Sequence, residues 1–208
     1  YREDKSYFWE VRVIREAFPE AHLRADANQG WDRANALQAC RLFEPYRLDF
    51  IEQPVPKTDI DSLEYINKHS NTPIMADESL ESIQAAMQLV KRDAVGVFGI
   101  KLSKAGGLLG GKRLAAIAEG ACFPCYVGSM FEPPLGNAAH LHFCCSTPQV
   151  VLGCELFEPM LLADQVTNEM TAYESGHVLL DTGKPGFGIT MNEAKLKQYA
   201  RSAFVDIM

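Results

Sequence analysis

The stretches HLRADAN at residues 22–28, LDFIEQP at 48–54, PIMADES at 73–79 and VFGIKLSKAGG at 97–107 decide the fold. They contain Asp26, Glu52, Asp77 and Lys101 at successive gaps of 26, 25 and 24 residues, each closing a short apolar run. This period is too long for a helix face and matches one β-strand, loop and helix. Four such units deliver one charged side chain each to the same end of consecutive strands, where the βα loops of a parallel barrel converge.

The same alternation continues through most of the chain. Strands are predicted at 21–27, 48–53, 73–76, 95–102, 124–130 and 150–157. Helices are predicted at 1–18, 32–43, 59–69, 80–91, 109–119 and 136–144, the fourth capped by Ser79 with Ile83, Met87 and Val90 facing inward. Six βα-type units in one register favour one parallel-sheet domain over two. Periodicity does not decide whether the sheet closes, although an open doubly wound sheet usually has a GxGxxG turn, which is absent here.

Length and composition restrict the class of function. The 208 residues can bury a full core but fall short of the ~250 residues of a complete eight-unit barrel. A net charge of −7 with no basic stripe argues against a nucleic-acid partner. No apolar run approaches the roughly 18 residues that span a bilayer. The six cysteines lack the spacing of a secreted framework, so reduced cysteines packed in a cytosolic protein are expected.

Three carboxylates converging beside an ammonium group predict a divalent cation, because such a cluster is costly without one. Mg²⁺ suits them, since it prefers oxygen ligands and keeps positions for water and a substrate carboxylate. The cation would acidify the α-carbon of that substrate, and Lys101 would carry the proton with a lowered pKa. Taken singly, Asp26 fits a turn, Glu52 a loop acid and Asp77 a helix cap. Only their joint spacing favours the metal.

Three further residues are weaker candidates. Lys101 and Lys104 differ in strand parity, so at most one of them points inward from a regular strand, and Lys101 lies deeper. Glu132 in VGSMFEPPLG is predicted at the barrel mouth, where a solvated loop acid is an equally good interpretation. Glu155 ends the last predicted strand, where it either contacts substrate or packs.

These motifs resemble the barrel domain of the enolase superfamily. The resemblance is carried by DANQGW around Asp26, IEQP around Glu52, ADES around Asp77, IKLSKAGG around Lys101 and GSMFEPPLG around Glu132. The lysine on the sixth barrel strand, together with GCELFEPMLL and GFGITMNEAKLKQYAR, is similar to the muconate-lactonizing (muconate cycloisomerase) subgroup rather than to mandelate racemase. Five ordered motifs over nearly the whole chain make the resemblance specific.

The resemblance implies an α/β fold, a partial TIM-type barrel with strands three to eight. The barrel would occupy residues 1–163, and residues 164–208 would form a tail outside it or against a capping domain. Asp26, Glu52 and Asp77 would bind Mg²⁺, with Mn²⁺ as the alternative. Lys101 and Glu132 would be catalytic. The residues implied to support the ligands or to contact substrate are Asn28, Gln53, Glu78, Lys104 and Glu155.

The implied reaction is Mg²⁺-dependent abstraction and return of a proton α to a carboxylate through a stabilised enolate, most like a muconate cycloisomerase. The implied partners are a small carboxylic acid and, at full length, further copies of the protein, without nucleic acid or membrane. Alternatives are a racemase or epimerase of an N-substituted or cyclic amino acid, or a catalytically incomplete packing module. Glu155-Leu156-Phe157 replaces the Asp-x-Asp of dipeptide epimerases, which counts against a dipeptide substrate.

One departure from the family concerns the start of the chain. Family members carry a Lys-x-Lys on the second barrel strand and an N-terminal capping domain, and this chain begins after both. A fragment of a longer enzyme, inactive alone, is therefore expected. Its six-strand arc would expose two sheet edges, which are liable to aggregate.

Overall fold

The computed structural model describes residues 6–202. Its main elements are α1 Ser6–Ala17, β1 Arg24–Asp26, α2 Arg33–Phe43, β2 Phe50–Glu52, α3 Ile60–His69, β3 Ile74–Ala76, α4 Ile83–Arg92, β4 Val97–Ile100, α5 Leu102–Ala105, α6 Gly107–Gly120, β5 Cys125–Val127, α7 Pro134–Cys145, β6 Ala172–Glu174, β7 His177–Leu179 and α8 Glu193–Tyr199. Short 3-10 turns cover Glu44–Tyr46 and Glu158–Met160. Residues 1–5 of the first predicted helix lie outside the described residues.

Strands β1 to β5 form one parallel sheet in sequential order, with helical connections between them. Such an order is that of a barrel wall, and the five strands form a half-barrel. Asp26 pairs level with Glu52, whereas Glu52 pairs level with Met75, two residues before Asp77. Asp26, Glu52 and Lys101 end or directly follow their strands, and Asp77 follows β3, so all four predicted charges lie at one end of the sheet.

The sixth predicted strand, at 150–157, is wrong as a regular strand. In the described chain it contributes a single parallel bridge, between Val127 and Cys154. Hydrogen bonds still attach it to β5, from Val127 N–H to Gly153 O at 3.1 Å and from Glu155 N–H to Val127 O at 3.0 Å. Gly153 has a φ of 83°, and this left-handed conformation interrupts the extended run. Residues 150–157, called the 150–157 segment below, therefore lie beside β5 as an irregular sixth member of the wall.

The start of α4 was also predicted wrongly. Ser82, not Ser79, caps this helix, and its Oγ accepts a hydrogen bond from Ala85 N–H at 3.1 Å. The predicted inward face is also wrong, because Ile83 and Met87 are 40% and 54% exposed. The buried positions of α4 are Ala86 and Leu89, with Val90 half-buried.

The strands separate two apolar regions, because successive side chains point to opposite faces. The larger region lies between sheet and helices and includes Ile51, Ala76, Phe98 and Val127. The smaller region is built from Phe50, Met75, Val97 and Tyr126, with Leu152 packed against it. By strand parity Glu52 shares the face of Phe50, Asp77 that of Met75 and Lys101 that of Val97. The smaller region is thus the floor beneath the charged strand ends.

The last part of the described chain packs on the barrel wall. Strands β6 and β7 form an antiparallel hairpin, the helix α8 follows them, and residues 203–208 lie outside the description. Tyr173 Oη donates to Leu156 O at 2.6 Å, and Thr171 Oγ1 bonds Asn137 Oδ1 at 3.1 Å. Over residues 6–202, every helix is too short or too polar to cross a lipid bilayer.

Candidate active site

Asp77 is the most strongly paired acid at the strand ends. Its side chain is 4% exposed, and Lys101 Nζ donates to its Oδ2 at 2.6 Å. Lys104 Nζ donates to Asp77 Oδ1 and to the backbone oxygen of Asp77, the latter at 2.8 Å. Burial alone would raise the pKa of Asp77, but the two ammonium groups outweigh burial and lower it. Asp77 is therefore ionised and bound by two cationic side chains.

The ionisation of Lys101 follows from that pairing. Burial lowers the pKa of Lys101, whereas the hydrogen bond and charge of Asp77, followed by the charge of Glu52, raise it more. The net shift is upward, whereas the lowered pKa predicted from the sequence was that of Lys101 beside a bound dication. The difference arises because the nearest opposite charge here is a carboxylate, which favours the protonated amine.

Both lysines reach the site, which corrects the parity argument against Lys104. The predicted strand ran to residue 102, but β4 ends at Ile100 and residues Leu102–Ala105 form the short helix α5. A helical turn after Lys101 brings Lys104 back over the strand end, so strand parity does not apply to it. Lys104 N–H also bonds Lys101 O at 3.1 Å within this turn.

Glu52 is the least compensated of the three acids. It is 6% exposed, and none of the side-chain hydrogen bonds found over residues 6–202 reaches its carboxylate. Burial, with the like charges of Asp26 and Asp77, raises the pKa of Glu52 to about 9. A carboxyl group in this position either keeps its proton at neutral pH or has a cation beside it.

Asp26 lies on β1, an edge of the sheet, and is exposed. Its Oδ1 accepts a hydrogen bond from Asn28 N–H at 2.8 Å, and its Oδ2 accepts from Asn28 Nδ2 at 2.7 Å. Partial burial raises the pKa of Asp26 despite the backbone hydrogen bond from Asn28, and the charges of Glu78 and Asp77 add to the rise. Asn28 is thus in contact with the acid it was predicted to support.

The three acids fit a metal by chemistry and charge, but their side chains do not meet as placed. Within residues 6–202, no group of three or more His, Cys, Asp or Glu side chains could hold a metal ion as it stands. Lys101 and Lys104 engage Asp77, and Asn28 engages Asp26. However, the acids follow consecutive strands, the charges of Asp26 and Asp77 raise the pKa of Glu52, and all three offer the oxygen donors that Mg²⁺ prefers. The buried Glu52 carboxyl, the least compensated of the three, is the observation in the structure that best fits a cation.

Gln53 fixes the position of Asp77 through the backbone. Its side chain is fully buried, and its Oε1 accepts hydrogen bonds from Asp77 N–H at 3.1 Å, Ser79 N–H at 3.0 Å and Ser79 Oγ at 2.8 Å. Its Nε2 donates to Val55 O at 2.9 Å. One amide therefore ties the end of β2 to the end of β3, which explains why Ser79 does not cap α4.

The Glu78 side chain bonds a neighbouring loop and not the proposed metal ligands themselves. Its Oε1 accepts a hydrogen bond from Gln29 Nε2 at 2.9 Å, while Gln29 Oε1 accepts from Lys57 N–H at 2.9 Å. The other Glu78 oxygen is buried and has no partner within the described chain. Glu78 thus supports the neighbouring loops and adds negative charge near Asp26.

Glu155 and Glu132 lie in different surroundings. Glu155 Oε2 accepts a hydrogen bond from Tyr126 Oη at 3.4 Å, and burial raises the pKa of Glu155 while the charge of Lys101 opposes the rise. Glu132 instead folds back on its own loop, where it accepts a hydrogen bond from Met130 N–H. The geometry places Glu155 in the field of Lys101 and does not bring Glu132 into contact with the lysine.

Gly128 leaves space for the Lys101 side chain. A Cβ at this position would lie 2.7 Å from Lys101 Cε and 3.4 Å from Glu155 Oε1. We expect Gly128→Ala to push Lys101 away from Asp77 and to lower turnover of the complete protein by about 10²-fold, the cost of a misplacement near 1 Å. Thermal unfolding should change much less than on removal of the Asp77 carboxylate, because Lys104 stays bound to Asp77 and the clash is with the end of a flexible side chain. Gly120→Ala, where a Cβ meets nothing within 4 Å, is the control. Unchanged turnover in Gly128→Ala would contradict this role.

Sequence reasoning missed three residues near these groups. Arg24 Nη2 donates to Leu152 O at 2.6 Å, and its guanidinium lies 4.5 Å from the centre of the Tyr126 ring. Strand parity could have found both, since Arg24 precedes Asp26 by two residues and Tyr126 precedes Gly128 by two. Glu158 is 4% exposed in an irregular turn, which has no periodic signal. Burial, together with the charges of Glu132 and Glu155, raises the pKa of Glu158.

The chain is similar to known proteins over most of its length. The family described as "Enolase C-terminal domain-like" matches residues 8–195. Muconate cycloisomerase 1 of Pseudomonas putida is 36% identical over 191 residues, which are 92% of this chain and 51% of that protein. Chloromuconate cycloisomerase CbnB of Cupriavidus necator is 34% identical over 191 residues, with the same coverage of 92% and 51%.

Solved structures give the same answer for the fold. Muconate cycloisomerase from Pseudomonas fluorescens matches with a TM-score of 0.91 at 35% identity, over 97% of this chain and 56% of that chain. Muconate lactonizing enzyme from Klebsiella pneumoniae matches with a TM-score of 0.90 at 34% identity, over 97% and 56%. The chain spans about half the length of the curated relatives it matches. It belongs to the enolase C-terminal domain-like family and is similar to the muconate and chloromuconate cycloisomerases.

Proposed function

We propose that this chain carries the proton-transfer site of a Mg²⁺-dependent, muconate cycloisomerase-type enzyme acting α to the carboxylate of a small carboxylic acid. The observation that carries the proposal is the ion pair of Lys101 with Asp77, together with the buried Glu52 carboxyl, whose pKa is raised to about 9 by burial and by the charges of Asp26 and Asp77. Relatives at 33–36% identity that are named for cycloisomerisation of muconate or chloromuconate support it.

Asp26, Glu52 and Asp77 are the proposed Mg²⁺ ligands, with Mn²⁺ as an alternative ion. When bound, the cation supplies positive charge that neutralises these carboxylates and stabilises negative charge developing on the substrate. Asn28 orients Asp26 through two hydrogen bonds, and Gln53 orients Asp77 through the backbone. These contacts hold the acids at the strand ends before any substrate arrives.

Lys101 Nζ is the proposed carrier of the proton. Its contact with Asp77 Oδ2 fixes the amine at the strand end, and the same contact raises its pKa. Asp77 is also a proposed Mg²⁺ ligand. If its carboxylate bound the cation in place of Lys101, the contact that raises the pKa of Lys101 would be lost. Lys104 remains as a second positive charge at Asp77. Glu155 borders the amine, and Glu132 is proposed to border the substrate from the next loop.

The activity is proposed for a complete protein longer than this chain. In it, residues 1–163 would form part of the barrel, and residues 164–208 would pack outside the barrel or against a capping domain. Hydrogen bonds from Tyr173 to Leu156 and from Thr171 to Asn137 support packing of the tail against the outside of the barrel. A homo-oligomer is proposed for that complete protein.

A second candidate function is racemisation or epimerisation of an N-substituted or cyclic amino acid, and Glu158 favours it. This buried acid lies in the field of Glu132 and Glu155, and one of its oxygens has no hydrogen-bond partner within the described residues. Negative charge on this side of the site would attract a cationic nitrogen and repel the second carboxylate of a dicarboxylic acid.

One experiment tests both functions. The complete protein is incubated in D₂O with Mg²⁺, first with cis,cis-muconate and then with a panel of N-substituted and cyclic amino acids. A new lactone supports cycloisomerisation, whereas deuterium at the α-carbon of recovered amino acid supports the second candidate. If neither appears with Mg²⁺ or Mn²⁺, both proposals fail and the catalytically incomplete module is favoured.

A further inference from the structure

A buried histidine on α7 contacts the backbone directly after Lys101. His140 is 2% exposed, and its Nε2 accepts a hydrogen bond from Leu102 N–H at 3.0 Å. Its Nδ1 lies 2.9 Å from Gly136 O, one helical turn earlier in α7. Because a backbone N–H only donates, Nε2 carries no proton, and Nδ1–H donates to Gly136 O. Both ring nitrogens are thus bonded to backbone groups, in one neutral tautomer.

Leu102, the first residue of α5, is held through its backbone and its side chain. It is 5% exposed, and Gly106 N–H donates to its backbone oxygen. A Cβ at Gly111 would lie 2.6 Å from Leu102 Cδ2, so the leucine side chain fills the space that this glycine leaves on α6. The first N–H groups of a helix have no partner within the helix. His140 supplies the partner that the buried Leu102 N–H would otherwise lack.

The two lysines that bind Asp77 depend on this turn. Lys101 directly precedes Leu102 and has an extended backbone, with φ of −117° and ψ of 123°. Lys104 N–H at 3.1 Å and Ala105 N–H at 3.0 Å both bond Lys101 O, so the helical turn that begins at Leu102 brings Lys104 back to the strand end. Rotation of the peptide between Lys101 and Leu102 would therefore redirect both ammonium groups.

We propose that His140 is a positioning residue for proton transfer, whose Nε2 fixes the Leu102 amide and thereby holds Lys101 and Lys104 on Asp77. The effect on turnover rests on the proposed function, whereas the contact and its effect on the lysines do not. The ring acts through the backbone, since both of its hydrogen bonds go to backbone groups. The role requires an acceptor at the Nε2 position, because a side chain that only filled the space would leave the Leu102 N–H unpaired.

The test compares variants of the complete protein at two histidines of α7. His140→Phe keeps a ring but removes the acceptor, whereas His140→Gln retains an acceptor close to the position of Nε2. His142→Phe is the matched control, because it makes the same change at a ring whose Nε2 has no partner within the described residues. Circular dichroism verifies folding. His140→Asn, whose shorter amide does not reach the Leu102 N–H, replaces His140→Phe if the latter does not fold.

The first measurement does not depend on activity. Brief labelling with acetic anhydride, followed by mass spectrometry, gives the reactivity of Lys101 and Lys104 relative to that of Lys91, which is exposed on α4. The first two side chains are 13% and 15% exposed and ion-paired, so they should be labelled slowly in the unmodified protein. Labelling of both should rise in His140→Phe and stay slow in His140→Gln and His142→Phe.

The second measurement is turnover of cis,cis-muconate with Mg²⁺. We expect kcat of His140→Phe to fall about 10²-fold with KM nearly unchanged, as for a misplacement near 1 Å, and His140→Gln to recover most of it. Three results would overturn the inference: equal lysine labelling in His140→Phe and the unmodified protein, no recovery in His140→Gln, or an equal loss in His142→Phe. If the unmodified protein does not turn over muconate, the cycloisomerase proposal fails, and the labelling alone decides the role of His140.

Discussion

Lys101→Met is expected to lower turnover of the complete protein by about 10²–10⁴-fold, the contribution of a positioned general acid or base. Methionine keeps the length and apolar stem of the side chain but removes the ammonium group that bonds Asp77 Oδ2. The measurement is solvent deuterium exchange or product formation under saturating Mg²⁺. Binding of Mg²⁺, followed separately by calorimetry, should be retained, because Lys101 competes with the cation for the same carboxylate oxygen.

Lys104→Met is the matched comparison for that experiment. It removes the same charge from the same carboxylate, since Lys104 Nζ bonds Asp77 Oδ1 and the Asp77 backbone oxygen. A smaller loss in Lys104→Met than in Lys101→Met separates proton transfer from general loss of positive charge. Equal losses in both variants, or full turnover in Lys101→Met, would remove Lys101 from the proposed chemistry.

Asp77→Asn is expected to weaken Mg²⁺ binding by at least about 100-fold, because even groups that only support a metal ligand typically contribute 10–100-fold. Asparagine preserves the size of the side chain and the hydrogen bond from the backbone N–H of residue 77 to Gln53 Oε1, while it removes the negative charge. Isothermal titration calorimetry measures the affinity directly, without dependence on turnover. Asp61→Asn is the control, since the Asp61 side chain is 74% exposed on α3.

The same substitution should also destabilise the fold. The Lys101 and Lys104 side chains are 13% and 15% exposed and would lose their shared counter-charge. Removal of one partner from a buried ion pair costs about 3–5 kcal/mol, and the residual solvent contact of both lysines favours the lower end. Urea denaturation measures this change. Unaltered Mg²⁺ affinity together with a large loss of stability would show that Asp77 is a structural counter-ion and not a metal ligand.

The sequence predicted the wall of the barrel well because each strand and helix has a local signal. Apolar runs ending at Asp26, Glu52 and Asp77 located β1 to β3 within a few residues, and Asp32 and Asp59 cap α2 and α3 at the predicted starts. The 150–157 segment was predicted as a strand because its composition is apolar. Its pairing is instead broken by the left-handed Gly153, a backbone feature that residue type alone does not specify.

The site was predictable at the level of strand ends but not of contacts. Spacing indicated which acids gather at one edge of the sheet. It could not indicate which cationic side chain each carboxylate would bind. Asp77 takes Lys104 as well as Lys101 because α5 turns immediately after β4. The Ser79 hydroxyl likewise donates to Gln53 Oε1 and does not cap α4. This long-range hydrogen bond has no signal in the local sequence.

The division of each strand into a packing face and a chemical face restricts how this gene can change in length. Loss of a single codon within residues 74–76 would move Asp77 to the preceding strand position, which faces the helices, and would place Glu78 at the position that Asp77 now holds. Insertions and deletions should therefore be tolerated in the connections and at helix termini. Within β2, β3 and β4 they should abolish activity. A deletion scan scored for folding and for Mg²⁺ affinity separately would map this boundary residue by residue.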